Sequence, residues 1–123
     1  MLFKIIKPST APRRSLDPGR GTSIRLIDTA MGVESLDLHM NILRPNGPGG
    51  RVHRHSKSDN VYIVKSGEGL LTAGGETHTI VADDVVFIPA GVRHSLSNVS
   101  DRELVIYEIY APAGPAFDFI ADP

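Results

Sequence analysis

An all-β fold, a sandwich or barrel of short strands, is what this sequence predicts, and three observations carry the prediction. Twelve glycines and nine prolines are spaced along the 123 residues as punctuation rather than gathered into a linker. Between them lie short runs rich in Val, Ile, Leu and Thr, the side chains that fit a pleated, half-buried surface. No window carries a helical period with caps. The length suits one domain, which at this size buries roughly two-thirds of the surface its unfolded chain exposes. There is no internal repeat and no low-complexity segment.

In chain order, Phe3 to Lys7 is a candidate first strand, and Pro8 to Gly21 a loop. Thr22 to Asp28 reads as a strand and Met31 to Val33 as a turn. In Leu36 to Leu43 the apolar Leu36, Leu38, Met40 and Ile42 alternate strictly with the polar Asp37, His39 and Asn41, a strand signal. Arg44 to Gly50 is a turn. His53 to His55 and Asn60 to Lys65 are short strands, and Ser66 to Gly69 turns the chain. Leu70 to Ala73 and Glu76 to Val81 flank Gly74-Gly75, a two-residue hairpin signal. Asp83-Asp84 is a polar turn, Val85 to Ile88 a buried strand and Pro89 to Gly91 a sharp corner. His94 to Asn98 and Leu104 to Tyr110 are the last strands. Ala111 to Pro115 is loop, with Phe117 to Ile120 docking at a sheet edge.

Composition removes several functions. With no cysteine, cysteine-ligated zinc, iron–sulfur sites, thiol catalysis and disulfides are excluded, and any metal must be held by nitrogen and oxygen. Thirteen Lys+Arg stand against fourteen Asp+Glu, scattered, with neither a basic stripe for nucleic acid nor a polybasic patch for a membrane. The N-terminus is interrupted by Lys4 and Lys7 and stopped by Pro8, and no run approaches transmembrane length. The expectation is a soluble, cytoplasmic protein.

The chemistry concentrates behind the turn Gly47 to Gly50. In a strand, side chains i and i+2 share a face, so His53 and His55 aim two imidazoles at one point, an arrangement suited to a divalent ion. His94 is the third candidate. Pro89 biases Ile88 toward the extended region, Gly91 is free to take positive φ, and the next strand opens on His94.

On these residues the chain resembles the cupins, small double-stranded β-helix (jelly-roll) barrels. Their first motif is glycine, five residues, His-x-His, three or four residues, glutamate, six residues, glycine. Gly47, His53, His55 and Gly67 fall on it, with Asn60 at the glutamate position. In the second motif Pro89, Gly91, His94 and Asn98 match, and Asp83 replaces the leading glycine. The intermotif gap, Glu68 to Ala82, is fifteen residues, as in compact single-domain members. The resemblance implies one cupin domain over residues 1–123, with 1–21 an N-terminal strand and loop arm and 111–123 a C-terminal tail. It also implies a mononuclear centre (Fe, Mn, Ni or Zn) held by His53, His55 and His94 with Asn60, and a homodimer.

The two departures differ in consequence. Aspartate tolerates turn geometry, so Asp83 is a turn substitution. Asn60 is neutral, so three imidazoles and an amide leave a divalent ion's charge uncompensated and favour an anionic ligand. Asp59 is the alternative oxygen donor at the shorter spacing. The count to Gly67 and the alternation with Tyr62 and Val64 favour Asn60.

His39 is read as solvated or at a subunit contact, and His78 as an ordinary strand residue. Tyr62, Met40, Phe87, Leu96, Tyr107 and Ile109 are read as core. Arg54 points away from the histidine face, Arg93 sits near the barrel mouth without an assigned role, and Glu108 is either outward-facing or a buried acid beside the site. The function expected is a metal-dependent enzyme, an oxygenase, isomerase, lyase or decarboxylase, acting on a small anionic, chelating organic substrate. The alternative is a non-catalytic cupin, a sensor or carrier of a small ligand or metal.

Overall fold

The computed structural model describes residues 2–123. Its strands are β1 (Arg13–Leu16), β2 (Gly21–Ile27), β3 (Asp37–Leu43), β4 (His53–Arg54), β5 (Asp59–Ser66), β6 (Glu68–Ala73), β7 (Glu76–Val81), β8 (Val85–Ile88), β9 (His94–Ser97), β10 (Leu104–Ala111) and β11 (Ile120–Ala121). Two single 3-10 turns, Thr29–Met31 and Gly114–Ala116, are the helical segments among the described residues. One antiparallel sheet has the order β1-β2-β3-β10-β5-β8 and the other β11-β4-β9-β6-β7. The non-consecutive neighbours (β3 with β10 with β5, β4 with β9 with β6) give the winding of a double-stranded β-helix, as the resemblance implies. No helix among the described residues is long and apolar enough to cross a membrane.

The inner faces of the sheets meet over a core that includes Leu43, Tyr62, Val64, Leu71, Leu96, Leu104 and Ile106. Each such side chain, fully buried, contributes about 1.5–3 kcal/mol. A second cluster of Ile24, Leu26 and Met40 lies on the other face of the larger sheet, with Ile6, Ala11 and Tyr107 packed against it. The alternation in β3 is thus real, but its apolar side faces this second cluster and its polar side faces the barrel interior.

The turns follow the sequence. Gly67 has φ +83°, and a Cβ there would lie 2.3 Å from the Glu103 carbonyl oxygen, so both conformation and space require glycine. Asp83 takes φ +74°, the left-handed turn geometry expected of it in glycine's place.

Several expectations are corrected. Residues 3–7 form no strand; their stretch instead brings Ile6 against the second cluster. A strand missing from the sequence reading, β1, lies in the expected loop and pairs with β2. Strand β8 is buried on one face only: at the sheet edge beside β5 it sends Ile88 and Val86 to the core and leaves Val85 and Phe87 exposed.

Candidate metal centre and its cavity

The His-x-His strand and the post-corner strand are direct neighbours. Strands β4 and β9 pair with His53 opposite His94, and the corner is tied to the first motif where the Gly91 N–H donates to the His55 carbonyl at 2.7 Å. Ring centroids stand 4.4 Å apart for His53 and His94, 5.0 Å for His53 and His55, and 5.4 Å for His55 and His94. One ligand nitrogen from each of the three lies within 4.8 Å of the others.

The orientation of each ring is fixed from behind. His53 Nδ1 is 2.7 Å from the Arg51 carbonyl, His94 Nδ1 2.8 Å from the Val92 carbonyl and His55 Nδ1 2.6 Å from the Asp118 carbonyl. A carbonyl only accepts, so each Nδ1 carries the proton and each Nε2 presents a lone pair. The Nε2 atoms of His55 and His94 are buried with no hydrogen-bond partner, a costly state unless something else satisfies them. Burial lowers the His53 pKa to about 4 and lowers that of His94, in each case opposed by the hydrogen bond to the backbone carbonyl. Both rings therefore stay neutral at ordinary pH, the form that ligates metals.

The acceptor for His55 comes from the C-terminal segment, which docks at the sheet edge as the sequence suggests. Strand β11 pairs with β4, and Ser56 holds the Asp118 carboxylate through both its N–H and its hydroxyl. The flanking aromatics cover the centre: Phe117 stacks on His55 at 4.9 Å and Phe119 on His53 at 4.3 Å.

Asn60 lies on β5, fully buried, whereas Asp59 is exposed and accepts from the Ala90 N–H. The asparagine is therefore the residue that faces inward. Its Nδ2 donates to the Ile109 carbonyl at 2.9 Å and to Glu108 Oε1 at 3.4 Å, leaving Oδ1 buried and without a partner. The second-motif Asn98 is a brace: its amide donates to the Leu43 and Arg102 carbonyls and its oxygen accepts from Ser100.

A cavity of about 210 Å³ opens beside the centre, lined among others by His53, His39, Asn41, Glu108, Tyr110 and Arg20. Register across the larger sheet explains this polar wall. Arg25, His39, Glu108 and Tyr62 stand in one cross-strand row, and Asp37, Tyr110 and Asn60 in the next. Glu108 is only 7% exposed. Its Oε2 accepts from Asn41 at 2.6 Å and its Oε1 from the Tyr110 hydroxyl at 2.6 Å. Burial, and then the charge of Glu108, hold the Tyr110 hydroxyl well above its ordinary pKa, so it serves as a donor. None of the ion pairs among the described residues includes Glu108. Hydrogen bonds to a charged group contribute about 1.5–3 kcal/mol each, which offsets a desolvation penalty of several kcal/mol without neutralising the charge.

Here the structure answers what the sequence left open and corrects what it misread. Glu108 is the buried acid. It shares strand parity with Leu104 and Ile106, at 0% and 1% exposure, and that parity was the available signal. His39 is neither solvated nor at the surface: it is buried, 2.8 Å from Asp37 Oδ1 through Nε2 and 3.4 Å from Ser23 Oγ and Asn41 Oδ1 through Nδ1. Arg93 turns outward to the Asp122 carboxylate, and His78 is an exposed strand residue. The cavity role of Arg20 and the aromatic cover of Phe117 and Phe119 had no sequence signal.

Residues 40–110 match the family model described as a cupin domain. A polyketide synthase, CurC of Streptomyces cyaneus, is 28% identical over 89% of this chain and 73% of its own length. An oxalate-binding protein of Thermotoga maritima is 32% identical over 49% of this chain, and an uncharacterised protein of Streptomyces coelicolor 41% identical over 40% of it. Both matches cover about half of the relative's own length. Among solved structures, the polyketide cyclase RemF of Streptomyces resistomycificus superposes with TM-score 0.82 at 21% identity, covering 98% of this chain and 85% of that one. KdgF of a Halomonas species does so at 0.79 and 14% identity, covering 92% and 96%. These structural likenesses are of fold.

Proposed function

This chain belongs to the cupin family, and from that footing we propose that it is a metal-dependent enzyme acting on a small anionic substrate that chelates through oxygen. The observation that carries the reading is the set of three imidazoles whose Nδ1 atoms are tied to backbone carbonyls while their Nε2 atoms are left for a common partner. The donor set fits a divalent ion held by His53, His55 and His94, with Asn60 Oδ1 as the available oxygen. Bound there, the ion would supply Lewis-acid polarisation of a substrate oxygen, or redox chemistry if it is iron.

The remaining roles belong to the chain. Phe117 and Phe119 shield the histidines from solvent. Of the arginines that line the cavity, Arg14, Arg20 and Arg25, Arg20 is the one proposed to meet a substrate anion. Its Nε is buried without a partner, and its side chain's one hydrogen bond among the described residues runs to the Leu96 carbonyl. Arg25, by contrast, is committed to Asp37 through two hydrogen bonds. Named relatives that include a polyketide cyclase and an oxalate-binding protein are in keeping with oxygen-rich substrates.

The test has two stages. Elemental analysis after reconstitution should give about one metal per chain, and no bound metal sinks the reading. The loaded protein is then offered a panel of oxalate, 2-oxo acids and β-diketones. Turnover of one of them supports an enzyme, and tight binding without turnover supports the carrier reading. The homodimer and the cytoplasmic location remain part of this proposal, checked by light scattering and cell fractionation.

A further inference from the structure

We propose that Glu108 supplies, through the Asn60 amide, the negative charge that the metal ligands of this chain lack. The inference rests on the metal reading above and extends it to residues that would not touch the ion.

The starting point is two anomalies in neighbouring cross-strand rows. At the position where the first motif usually carries a carboxylate, this chain has the neutral Asn60. On the adjacent strand, where the sequence pattern calls for an apolar residue, it has the carboxylate Glu108, buried and free of any ion pair among the described residues. The two side chains touch: Asn60 Nδ2 donates to Glu108 Oε1 at 3.4 Å. The amide orientation is secured independently by the Ile109 carbonyl 2.9 Å from the same nitrogen, because a carbonyl can face only the donor end.

Every polar group on Glu108 is a donor. Asn41 and Asn60 present amide nitrogens and Tyr110 a hydroxyl. This environment suits an ionised carboxylate.

A carboxylate that accepts from an amide nitrogen draws electron density onto the amide oxygen. Asn60 Oδ1, buried and otherwise unpartnered, becomes a better donor than a free asparagine. The logic is that of a carboxylate behind a ligating histidine, with an amide in the middle. The charge has moved one strand over, from β5 to β10, rather than disappeared.

The experiment measures Zn²⁺ affinity of the full chain by competition with a chelator, together with the melting temperature of the metal-free protein. Glu108→Gln keeps size and removes charge. It should weaken Zn²⁺ binding about tenfold, in the range for loss of a group that supports a ligand, while the metal-free melting temperature reports separately the loss of its hydrogen bonds from Asn41 and Tyr110. Adding Asn60→Glu to Glu108→Gln should restore affinity to wild type or better. Equal affinity of wild type and Glu108→Gln overturns the inference while leaving the metal reading intact. No rescue by the double variant, in a protein as stable as wild type without metal, also overturns it. A wild-type chain that binds no Zn²⁺, Mn²⁺ or Fe²⁺ overturns the metal reading itself. Should Glu108→Gln fail to fold, Asn60→Glu alone decides. Beside Glu108 it should tighten Zn²⁺ binding and lower the metal-free melting temperature through like-charge repulsion, and no change in either refutes the proposal.

Discussion

His39 and the trio of His53, His55 and His94 line one barrel, yet they are held in opposite ways. His39 has polar side chains at both ring nitrogens: Asp37 at Nε2, and Ser23 and Asn41 at Nδ1. The Asp37 contact is close, though off the hydrogen-bonding direction. Each ring of the trio has one nitrogen bound to backbone and the other left over. Burial alone does not separate the two kinds, since His39, His55 and His94 are 5%, 2% and 1% exposed. Partner accounting does. His39 Nε2 also lacks a hydrogen-bond partner, but the Asp37 carboxylate stands 2.8 Å from it and makes it part of the scaffold, whereas the Nε2 atoms of His55 and His94 are buried without such a group and belong to the converging trio.

The largest effect tests that distinction head-on. His55→Ala and His94→Ala each remove one of three nitrogen donors. Zn²⁺ affinity, read by chelator competition, should fall more than about 100-fold, because these donors outrank the supporting groups whose loss typically costs 10–100-fold. Retention of wild-type affinity in both would mean that the convergence of Nε2 atoms is packing and nothing more.

The legibility of the site follows the same division. The three histidines were readable because their spacing is local: two share a strand face, and the third follows a proline–glycine corner. Asn60 was readable by counting to Gly67. What could not be read was register. His39, Glu108 and Tyr62 come from β3, β10 and β5, and they form one row only because β10 pairs with both of the others. Strand alternation located the polar side of β3, but a polar side suggests solvent unless the barrel is known to hold a polar cavity. The docking of Phe117 to Ile120 at a sheet edge was readable, but not that Phe117 and Phe119 stack on His55 and His53, since that depends on β11 pairing with β4. The burial assigned to Val85 to Ile88 holds for Val86 and Ile88 but not for Val85 and Phe87, because an apolar run reads alike at a sheet's centre and at its edge.

An intermediate effect concerns protons. His53 and His94 are buried in their neutral form, His53 at about 4 and His94 lowered, against about 6.5 for histidine in an unfolded chain. The unfolded state therefore binds more protons than the folded one between these values. The contribution to stability is complete above pH 6.5 and is lost as pH falls toward 4. The metal-free protein should show a melting temperature that declines over this window, and His53→Asn should flatten the decline. The loss of Zn²⁺ affinity should likewise set in below the pH 6.5 expected of free imidazoles. A melting temperature that is flat from pH 7 to 4.5, or a decline unchanged by His53→Asn, would contradict the neutral burial of the ring.

The smallest expected change in metal binding comes from the other side of the comparison. His39→Gln keeps a polar side chain in the cavity wall and removes none of the three convergent nitrogens. Zn²⁺ affinity should stay within about twofold of wild type. Stability should fall by about 1–3 kcal/mol, the cost of leaving buried groups such as Asn41 Oδ1 with poorer partners, measured by denaturant unfolding of the metal-free protein. The affinity readout separates it from His94→Ala, where affinity collapses and the metal-free fold loses packing at a buried position. If His39→Gln instead weakened Zn²⁺ binding as much as His94→Ala, the cavity wall and the histidine centre would be one coupled unit. Partner accounting would then no longer tell a scaffold histidine from a ligand.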